Sequence, residues 1–351
     1  MNDIKLGKKL IKRINEINRK DIKIMEVCGT HTQVISKYGI SNLVKNITLL
    51  SGPGCPVCVT HESYIDASLD IIKRENVKVI TFGDMIKVKG TNKSLEDYRD
   101  KFKVIYNPLD ALKIAEKNKN LDFVFLAVGF ETTAPIIALT IKLAKKNNIS
   151  NLYFLVSLKL MKPILNKILK LNTDIDGIIC PGHVATIMGS EYFNFISSTY
   201  NIPSVICGFE ALDVVAGIYT LVKSINKDNF DFSNLYKRCV KVNGNKKAHL
   251  EIKDVFKVSN GLWRGIGEVN NSSLIINKKY KNYDALDKFN IKISTKKQAN
   301  KCICSEIILG KKLPYQCNYF SKECTPMNPK GPCMVSSEGS CANYYKYRGA
   351  F

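Results

Sequence analysis

With 351 residues, 45% of them hydrophobic, the chain exceeds one average core and is expected to form about two or three domains. Its formal net charge of +22 is spread as lysines among asparagine and isoleucine along the whole length, without a basic block interleaved with aromatics. That pattern resembles the bias of an AT-rich genome, argues against nucleic-acid binding and leaves room for an acidic protein partner. No apolar run approaches the roughly 18 residues of a membrane helix, and twelve cysteines without an export signal point to thiols kept reduced, so a cytoplasmic protein with no membrane association is expected.

The lysine-rich stretch Met1 to Asn18 places Ile4, Leu10, Ile11, Ile14 and Ile17 along a helical stripe and lacks the continuous apolar core of a signal peptide. Ile22 to Val27 reads as a strand ending at Cys28-Gly29-Thr30-His31-Thr32, where Thr30 or Thr32 could cap a helix that stops at Gly39. Cys28 and His31 thus sit where a strand hands over to a helix, beside a glycine that allows close backbone approach, and the Cys28 thiolate is expected to be stabilised.

Next comes Ile47 to Leu50, a short buried strand, and then Ser51-Gly52-Pro53-Gly54-Cys55-Pro56-Val57-Cys58, a Gly/Pro-built turn before a helix marked by Tyr64, Ile65, Leu69 and Ile72. Such a turn is expected to expose both thiols. A helix start favours a thiolate, and two thiols three residues apart can close a reversible disulfide, so Cys55 and Cys58 read as a redox or metal-handling pair.

The same grammar repeats. Val77 to Phe82 is a strand, and Pro108 opens a helix through Ala115. Asp122 to Val128 is a strand closed by Gly129-Phe130-Glu131-Thr132-Thr133-Ala134-Pro135 before a helix to about Lys145. Leu152 to Ser157 is followed by a helix from Lys162 to Leu171, Gly177 to Ile179 leads into Cys180-Pro181-Gly182-His183, and Pro203 to Cys207 leads into Gly208-Phe209-Glu210 and the helix Leu212 to Ile225. The Gly-Phe-Glu triplet occurs twice, each time between a strand and a helix. Alternation of this kind implies parallel sheets that bind ligands on the loops at their carboxyl ends. No G-x-G-x-x-G or G-x-x-x-x-G-K-[ST] is present, which disfavours a standard dinucleotide or nucleoside-triphosphate site. Glu131 and His183 are assigned to loops of the second unit, with roles in proton transfer or ligand orientation. Cys180, Cys207 and Cys239 read as buried apolar residues.

After Asn226 the alternation weakens. Gly261 to Gly265 reads as a turn around the packing anchor Trp263, and Ile266 to Ile276 as a hairpin about Asn270-Asn271. Six cysteines then crowd one segment: Cys302, Cys304, Cys317, Cys324, Cys333 and Cys341. Without the paired C-x₂-C hooks of a structural zinc site, this irregular set suits a 4Fe-4S cluster better than zinc.

Taken together, Glu26-Val27-Cys28-Gly29-Thr30-His31-Thr32, Gly52-Pro53-Gly54-Cys55-Pro56-Val57-Cys58, Gly129 to Pro135, Pro181-Gly182-His183-Val184 and Gly331-Pro332-Cys333-Met334-Val335-Ser336-Ser337-Glu338-Gly339 resemble the HypD family of nickel-iron hydrogenase maturation factors. The resemblance implies a scaffold that, with the small chaperone HypC, holds an iron while two cyanides and one carbon monoxide are added, HypE and HypF making and delivering the cyanide. Cys28 matches the family cysteine that ligates this iron, with His31 close by, and Cys55 and Cys58 match its redox pair. The spacing Cys302-x14-Cys317-x6-Cys324-x16-Cys341 matches the family's 4Fe-4S ligands. Cys304 and Cys333 would then be a cluster-proximal redox pair, similar to ferredoxin:thioredoxin reductase. Ile303 and Ser305 stand where the family pattern has a basic residue and glycine, which leaves the choice between Cys302 and Cys304 open.

The expected fold is therefore α/β, two related parallel-sheet α/β units facing a cleft, plus a smaller C-terminal iron-sulfur domain. In sequence these are residues 1–118 with Cys28 and the CPVC motif, 119–226 with the GFETTAP and PGHV motifs, and 227–351 with the cluster. The alternative function is an iron-sulfur protein-disulfide reductase, which leaves Cys28 and His31 without a role.

Overall fold

The computed structural model describes residues 2–171, 174–294 and 302–348. Its strands are β1 (Ile22–Glu26), β2 (Ile47–Ser51), β3 (Val77–Thr81), β4 (Phe102–Val104), β5 (Asp122–Gly129), β6 (Leu152–Lys159), β7 (Gly177–Cys180), β8 (Ser204–Ile206), β9 (Phe232–Asn234), β10 (Phe256–Trp263) and β11 (Gly267–Ile276). They form two sheets, ordered β2-β1-β7-β8-β9 and β10-β11-β6-β5-β3-β4. Every pairing in the first is parallel; the second is parallel from β6 to β4 and antiparallel where the β10-β11 hairpin joins it. The α/β class expected from the alternation of strands and helices is the class observed.

The chain divides into two compact units, but not as consecutive stretches. One comprises Met1–Cys55, Leu165–Asn245 and Cys302–Phe351; the other comprises Pro56–Ile164 and Lys246–Lys301. The divisions at 118/119 and 226/227 expected from sequence do not coincide with these edges. The reason lies in strand pairing: β1 hydrogen-bonds to β7, so residues more than 150 positions apart complete one sheet, and β11 returns to pair with β6 in the other. The expected C-terminal domain is split in consequence, with residues 246–301 in one unit and the cysteine-rich segment in the other.

In the first unit, β1 places Ile22 and Ile24 in a core shared with Val34, Ile35, Ile179, Val205 and the helix Ala211–Ile225. The amphipathic N-terminal helix Asn2–Ile17 packs Leu10, Ile11, Ile14 and Ile17 against this core. Strand order reverses at β1: the chain steps outward to β2, and β7 later inserts on the other side. Such a switch point opens a crevice at the carboxyl ends of the two diverging strands. Register keeps those ends level, Glu26 lying opposite Ser51 on one side and Ile179 on the other. The cysteine-rich segment belongs to the same unit. Helix Ser340–Arg348 packs on helix Gly29–Lys37, and Gly310, at φ +72, lies where any Cβ would collide with Met25 of β1.

In the second unit, β5 is buried on both faces, as a central parallel strand should be. Its core joins Phe123, Phe125, Phe154 and Ile137 to Leu274 and Ile276 of the hairpin. The hairpin turn falls at Arg264–Ile266, with Gly265 at φ 70, rather than at Asn270-Asn271. Asn271 instead sits inside β11 at φ 53, where the ladder between β10 and β11 is irregular. Asn-Gly-like turn chemistry was therefore present in the sequence at a strand irregularity, not at the reversal. Trp263 is fully buried and its indole N–H donates to Ser272 Oγ at 2.8 Å, which bears out its reading as an anchor. Among the described residues no helix is long and apolar enough to cross a membrane.

Candidate functional site

Cys28 follows β1 and is the N-cap of helix Gly29–Lys37, with extended φ/ψ of −148° and 122°. Two glycines let other backbone approach it. A Cβ on Gly54 would lie 2.5 to 2.8 Å from the backbone N, Cα and C of Cys28, and one on Gly29 would lie 2.8 Å from the Glu338 carbonyl oxygen. Gly29 N–H donates to Gly54 O at 3.2 Å, and Gly52 N–H to Glu26 O at 2.7 Å. The β2 loop, the start of the helix and the segment between the helices carrying Cys333 and Cys341 are thereby drawn to one thiol.

From the other side of the switch point, β7 ends at Cys180 and the next helix, Gly182–Met188, opens with His183. His183 Nδ1 lies 3.8 Å from Cys28 Sγ. Its ring stacks on Phe209 at 3.9 Å, and His31 stacks on the same phenyl ring at 4.7 Å. His31 Nε2 is 3.0 Å from Gly208 O, so the proton sits on Nε2 and is donated to that carbonyl. Cys207 Sγ lies 3.7 Å from the same nitrogen. The loop after β8 therefore fixes both histidines through Phe209 and Gly208, with His183 exposed to solvent and His31 buried.

Burial dominates the electrostatics. Glu26 is inside, accepting from the Cys28 N–H at 2.9 Å and from the Thr32 hydroxyl. Desolvation outweighs these bonds and lifts its carboxyl to about 7. Burial, and next the nearby Glu338 carboxylate, push the Cys28 thiol up to about 12. The expectation of a stabilised Cys28 thiolate is thus corrected: the helix start is present, but loss of water, together with the nearby acids Glu338 and Glu26, outweighs it. Burial also lowers His31 to about 4, so it is a neutral donor, and lowers His183. A thiol this reluctant to ionise becomes a ligand when a cation arrives to replace its proton, and His183 is the adjacent acceptor for that proton.

Cys55 and Cys58 are disulfide-bonded, and the other ten cysteines are in no disulfide. Both are buried, at 5% and 1% exposure, rather than displayed on an open turn. The short helix Pro56–Val59 turns Val57, Cys58 and Val59 inward, and the edge between the two units falls between Cys55 and Pro56. In the second unit the segment after Cys58 is held by buried Arg264, whose Nε donates to Thr60 O at 2.7 Å and lies 3.8 Å from Glu62.

Glu131 and His183, expected together, belong to different units. Glu131 is buried and its Oε1 accepts from the Met161 N–H at 2.7 Å, at the start of helix Met161–Leu171. Cys180 and Cys207 are buried as expected, whereas Cys239 is exposed because it lies in a surface turn.

In the cysteine-rich segment, Cys302, Cys304, Cys317, Cys324 and Cys341 line one small pocket walled by Ile303, Ile307, Phe320 and Met334. Cys302 and Cys304 sulfurs are 3.1 Å apart. Cys304 is a hub, hydrogen-bonded also to Cys333 and Cys341, and those bonds hold its thiol well below the usual range while its partners are raised. Gly331 is required here, because a Cβ would lie 2.8 Å from Cys304 Sγ and closer still to Cys302 Sγ. No group of three or more ligating side chains among the described residues is arranged for a single metal ion, whose thiolates would be about 3.8 Å apart at Zn–S bonds of 2.3 Å. Five sulfurs around a dry pocket, with a glycine clearing room beside two of them, fit a polynuclear iron-sulfur group. Both Cys302 and Cys304 line it, so the structure keeps both as candidates for the fourth ligand.

Three residues that geometry adds had no assigned role in the sequence reading. Glu26 stood at the head of a recognised motif, but nothing in the sequence showed that its carboxyl is buried against the Cys28 N–H. Glu338 stood within a recognised motif, but nothing linked it to Cys28. Phe209 belonged to the repeated Gly-Phe-Glu triplet, whose stacking partners are distant in sequence.

Comparison with known proteins agrees with this arrangement. The HypD family, described as the hydrogenase formation hypA family, matches residues 5–348. The chain is 38% identical to a Methanocaldococcus jannaschii protein named for hydrogenase expression and formation, over 99% of each. It is 37% identical to the hydrogenase maturation factor HypD of Escherichia coli, covering 94% of this chain and 90% of that one. To HypD of Rhizobium leguminosarum it is 38% identical, with 92% and 87% covered.

Proposed function

The chain belongs to the HypD family of hydrogenase formation proteins, and from that premise we propose that it is a cytoplasmic scaffold which, with HypC, binds an iron substrate through Cys28 while cyanide and carbon monoxide are added. The product is the Fe(CN)2CO group of nickel-iron hydrogenase, with cyanide arriving from HypE and HypF. The observation that carries this reading is the placement of Cys28 at the switch point of a parallel sheet, 3.8 Å from His183 Nδ1 and near two acids, buried Glu26 and half-buried Glu338.

Each nearby group has a task in that reading. Cys28 donates a soft thiolate, the ligand type suited to low-spin iron bearing cyanide and carbon monoxide. His183 accepts the thiol proton as iron binds and, being exposed, passes it to solvent. Glu26, lifted by burial to about 7, is roughly half protonated near neutral pH, so release of that proton to water compensates part of the charge of arriving iron. Phe209 and His31 wall the thiol from water. Cys302 or Cys304, with Cys317, Cys324 and Cys341, would hold a 4Fe-4S cluster, which supplies single electrons when bound. Cys55 and Cys58 cycle between disulfide and dithiol, two electrons and two protons being taken up on reduction and returned on oxidation.

Infrared spectroscopy of the complex co-purified with HypC tests the proposal: bands for cyanide and carbon monoxide on iron are expected, and their absence from complex isolated out of maturation-competent cells would refute it. The formed Cys55–Cys58 disulfide is the observation that favours the rival reading, a protein-disulfide reductase. Burial of both sulfurs weighs against it, since a protein substrate must reach one of them.

A further inference from the structure

Lys159 is the last residue of β6 and only 6% exposed, an unusual place for an ammonium group. It stands at the carboxyl end of the parallel strands of the second unit, the edge on which such sheets bind ligands. Among the described residues its Nζ has no hydrogen-bond acceptor and no carboxylate at ion-pair distance, and its charge faces the Trp263 ring at 6.0 Å. Burial alone lowers the amine, to about 8, so about nine chains in ten still carry the charge at pH 7. An enclosed cation without an acceptor is destabilising until an anion completes it.

The acids of this region are engaged elsewhere. Glu62 lies 3.8 Å from Arg264 Nε, and Asp66 accepts from the Thr91 N–H at 2.7 Å and the Thr91 hydroxyl at 2.6 Å. A hydrogen-bond donor is at hand instead. Ser157, two residues earlier on β6, shares the side of the strand that Lys159 occupies. Its Oγ is 3.3 Å from Thr60 Oγ1, and Thr60 gives its own proton to Pro56 O at 2.8 Å, so the Ser157 proton is available. Thr60 forms a β-bridge with Trp263, which draws the hydroxyls, the indole and the amine to one place in the fold. Gly261 brings the hairpin backbone up to the same amine: a Cβ there would lie 2.8 Å from Ser272 Oγ and 3.4 Å from Lys159 Nζ. One cation, one hydroxyl donor and a flat apolar ring suit a small planar monoanion. A phosphate dianion calls for more charge than one lysine supplies, and Arg264 is spent on Glu62 and on the carbonyl oxygens of Thr60 and Lys89.

We propose that the carboxyl end of β6 binds a small monoanion of the carboxylate class, such as acetate, formate or bicarbonate, with Lys159 as its counter-ion, Ser157 as hydrogen-bond donor and the Trp263 ring as its apolar wall. The site belongs to the second unit, whereas Cys28 belongs to the first, and it holds whether or not the iron reading does. Lys159→Met is the sharpest perturbation, because it keeps the length of the side chain and removes only the charge. Relief of a buried, unpaired cation leaves that variant at least as stable as wild type.

The test is titration calorimetry of the full chain with sodium acetate, ionic strength being held constant with sodium chloride and folding followed by circular dichroism and thermal unfolding. Wild type is expected to give a saturable isotherm for one site, and Lys159→Met to bind at least about tenfold more weakly while unfolding at the same or a higher temperature. Ser157→Ala, which keeps the amine, should bind about threefold to tenfold more weakly. Raising the pH from 7 to 9 should weaken binding to wild type about tenfold, because Lys159 loses its charge while His61, lowered by burial, stays neutral and Arg264 stays charged. No saturable binding by wild type overturns the proposal, as does equal binding by wild type and Lys159→Met. Phosphate that binds where acetate does not overturns the assigned class. If Lys159→Met fails to fold, an affinity that neither Ser157→Ala nor the rise in pH changes overturns the site.

Discussion

Glu26→Gln isolates one buried carboxyl from every other titrating group. Burial lifts Glu26 from a reference value of 4.5 to about 7, a difference of about 2.5. At 1.36 kcal/mol per unit this is about 3 kcal/mol. Because the folded chain holds that proton more tightly than the unfolded chain, the contribution is fully present below about pH 4.5 and is lost as pH rises through about 7. Glutamine cannot ionise, and its single oxygen can still accept from the Cys28 N–H while its NH2, in place of the second carboxylate oxygen, donates to the Thr32 hydroxyl oxygen. The stability of Glu26→Gln minus that of wild type should therefore increase by about 3 kcal/mol between pH 4.5 and pH 8, other titrations cancelling in the difference. Urea unfolding of the oxidised chain at half-unit pH steps, followed by circular dichroism, measures it. His31 opposes this trend in wild type: its value is lowered to about 4, so its contribution is present above about 6.5 and is lost as pH falls through about 4. Curves for wild type and Glu26→Gln that run parallel from pH 4.5 to 8 would show that Glu26 is not a desolvated acid and would remove its charge-compensating role.

Gly54→Ala should destabilise by about 1–3 kcal/mol, the range for overpacking, because the intruding methyl meets Cys28 backbone that cannot rotate away; an unchanged urea midpoint would show the two loops are free to part. Cys28→Ser, a harder and more basic donor, should abolish the infrared bands while leaving colour from the cysteine-rich segment intact, and normal hydrogenase maturation by this variant refutes Cys28 as the iron ligand. Anaerobically purified protein should be brown with about four irons per chain, and of Cys302→Ser and Cys304→Ser only the one that removes a ligand should lose iron; colourless protein with stoichiometric zinc would contradict the cluster.

Periodicity and turn chemistry determined much of this protein. Alternating apolar runs and helical stripes located the strands β1, β3, β5 and β6 and the helices Met161–Leu171 and Ala211–Ile225 within a few residues, because burial on a strand or helix face is a local property of the sequence. The placement of Cys28, Cys180 and both Gly-Phe-Glu triplets at strand-to-helix turns was legible for the same reason. Tertiary pairing decided the rest. Insertion of β7 beside β1 brought His183 to Cys28 rather than to Glu131, and joined residues from three separate stretches into one unit. Protonation followed burial: a helix start promised a thiolate at Cys28, but the packed sheet removes water from Cys28 and its near neighbour Glu26, and Glu338 arrives through a glycine contact that no local pattern encodes. Exposure of Cys55 and Cys58 was misjudged on the same ground, since Gly and Pro fix the path of a turn, while what packs over it is set by the rest of the chain.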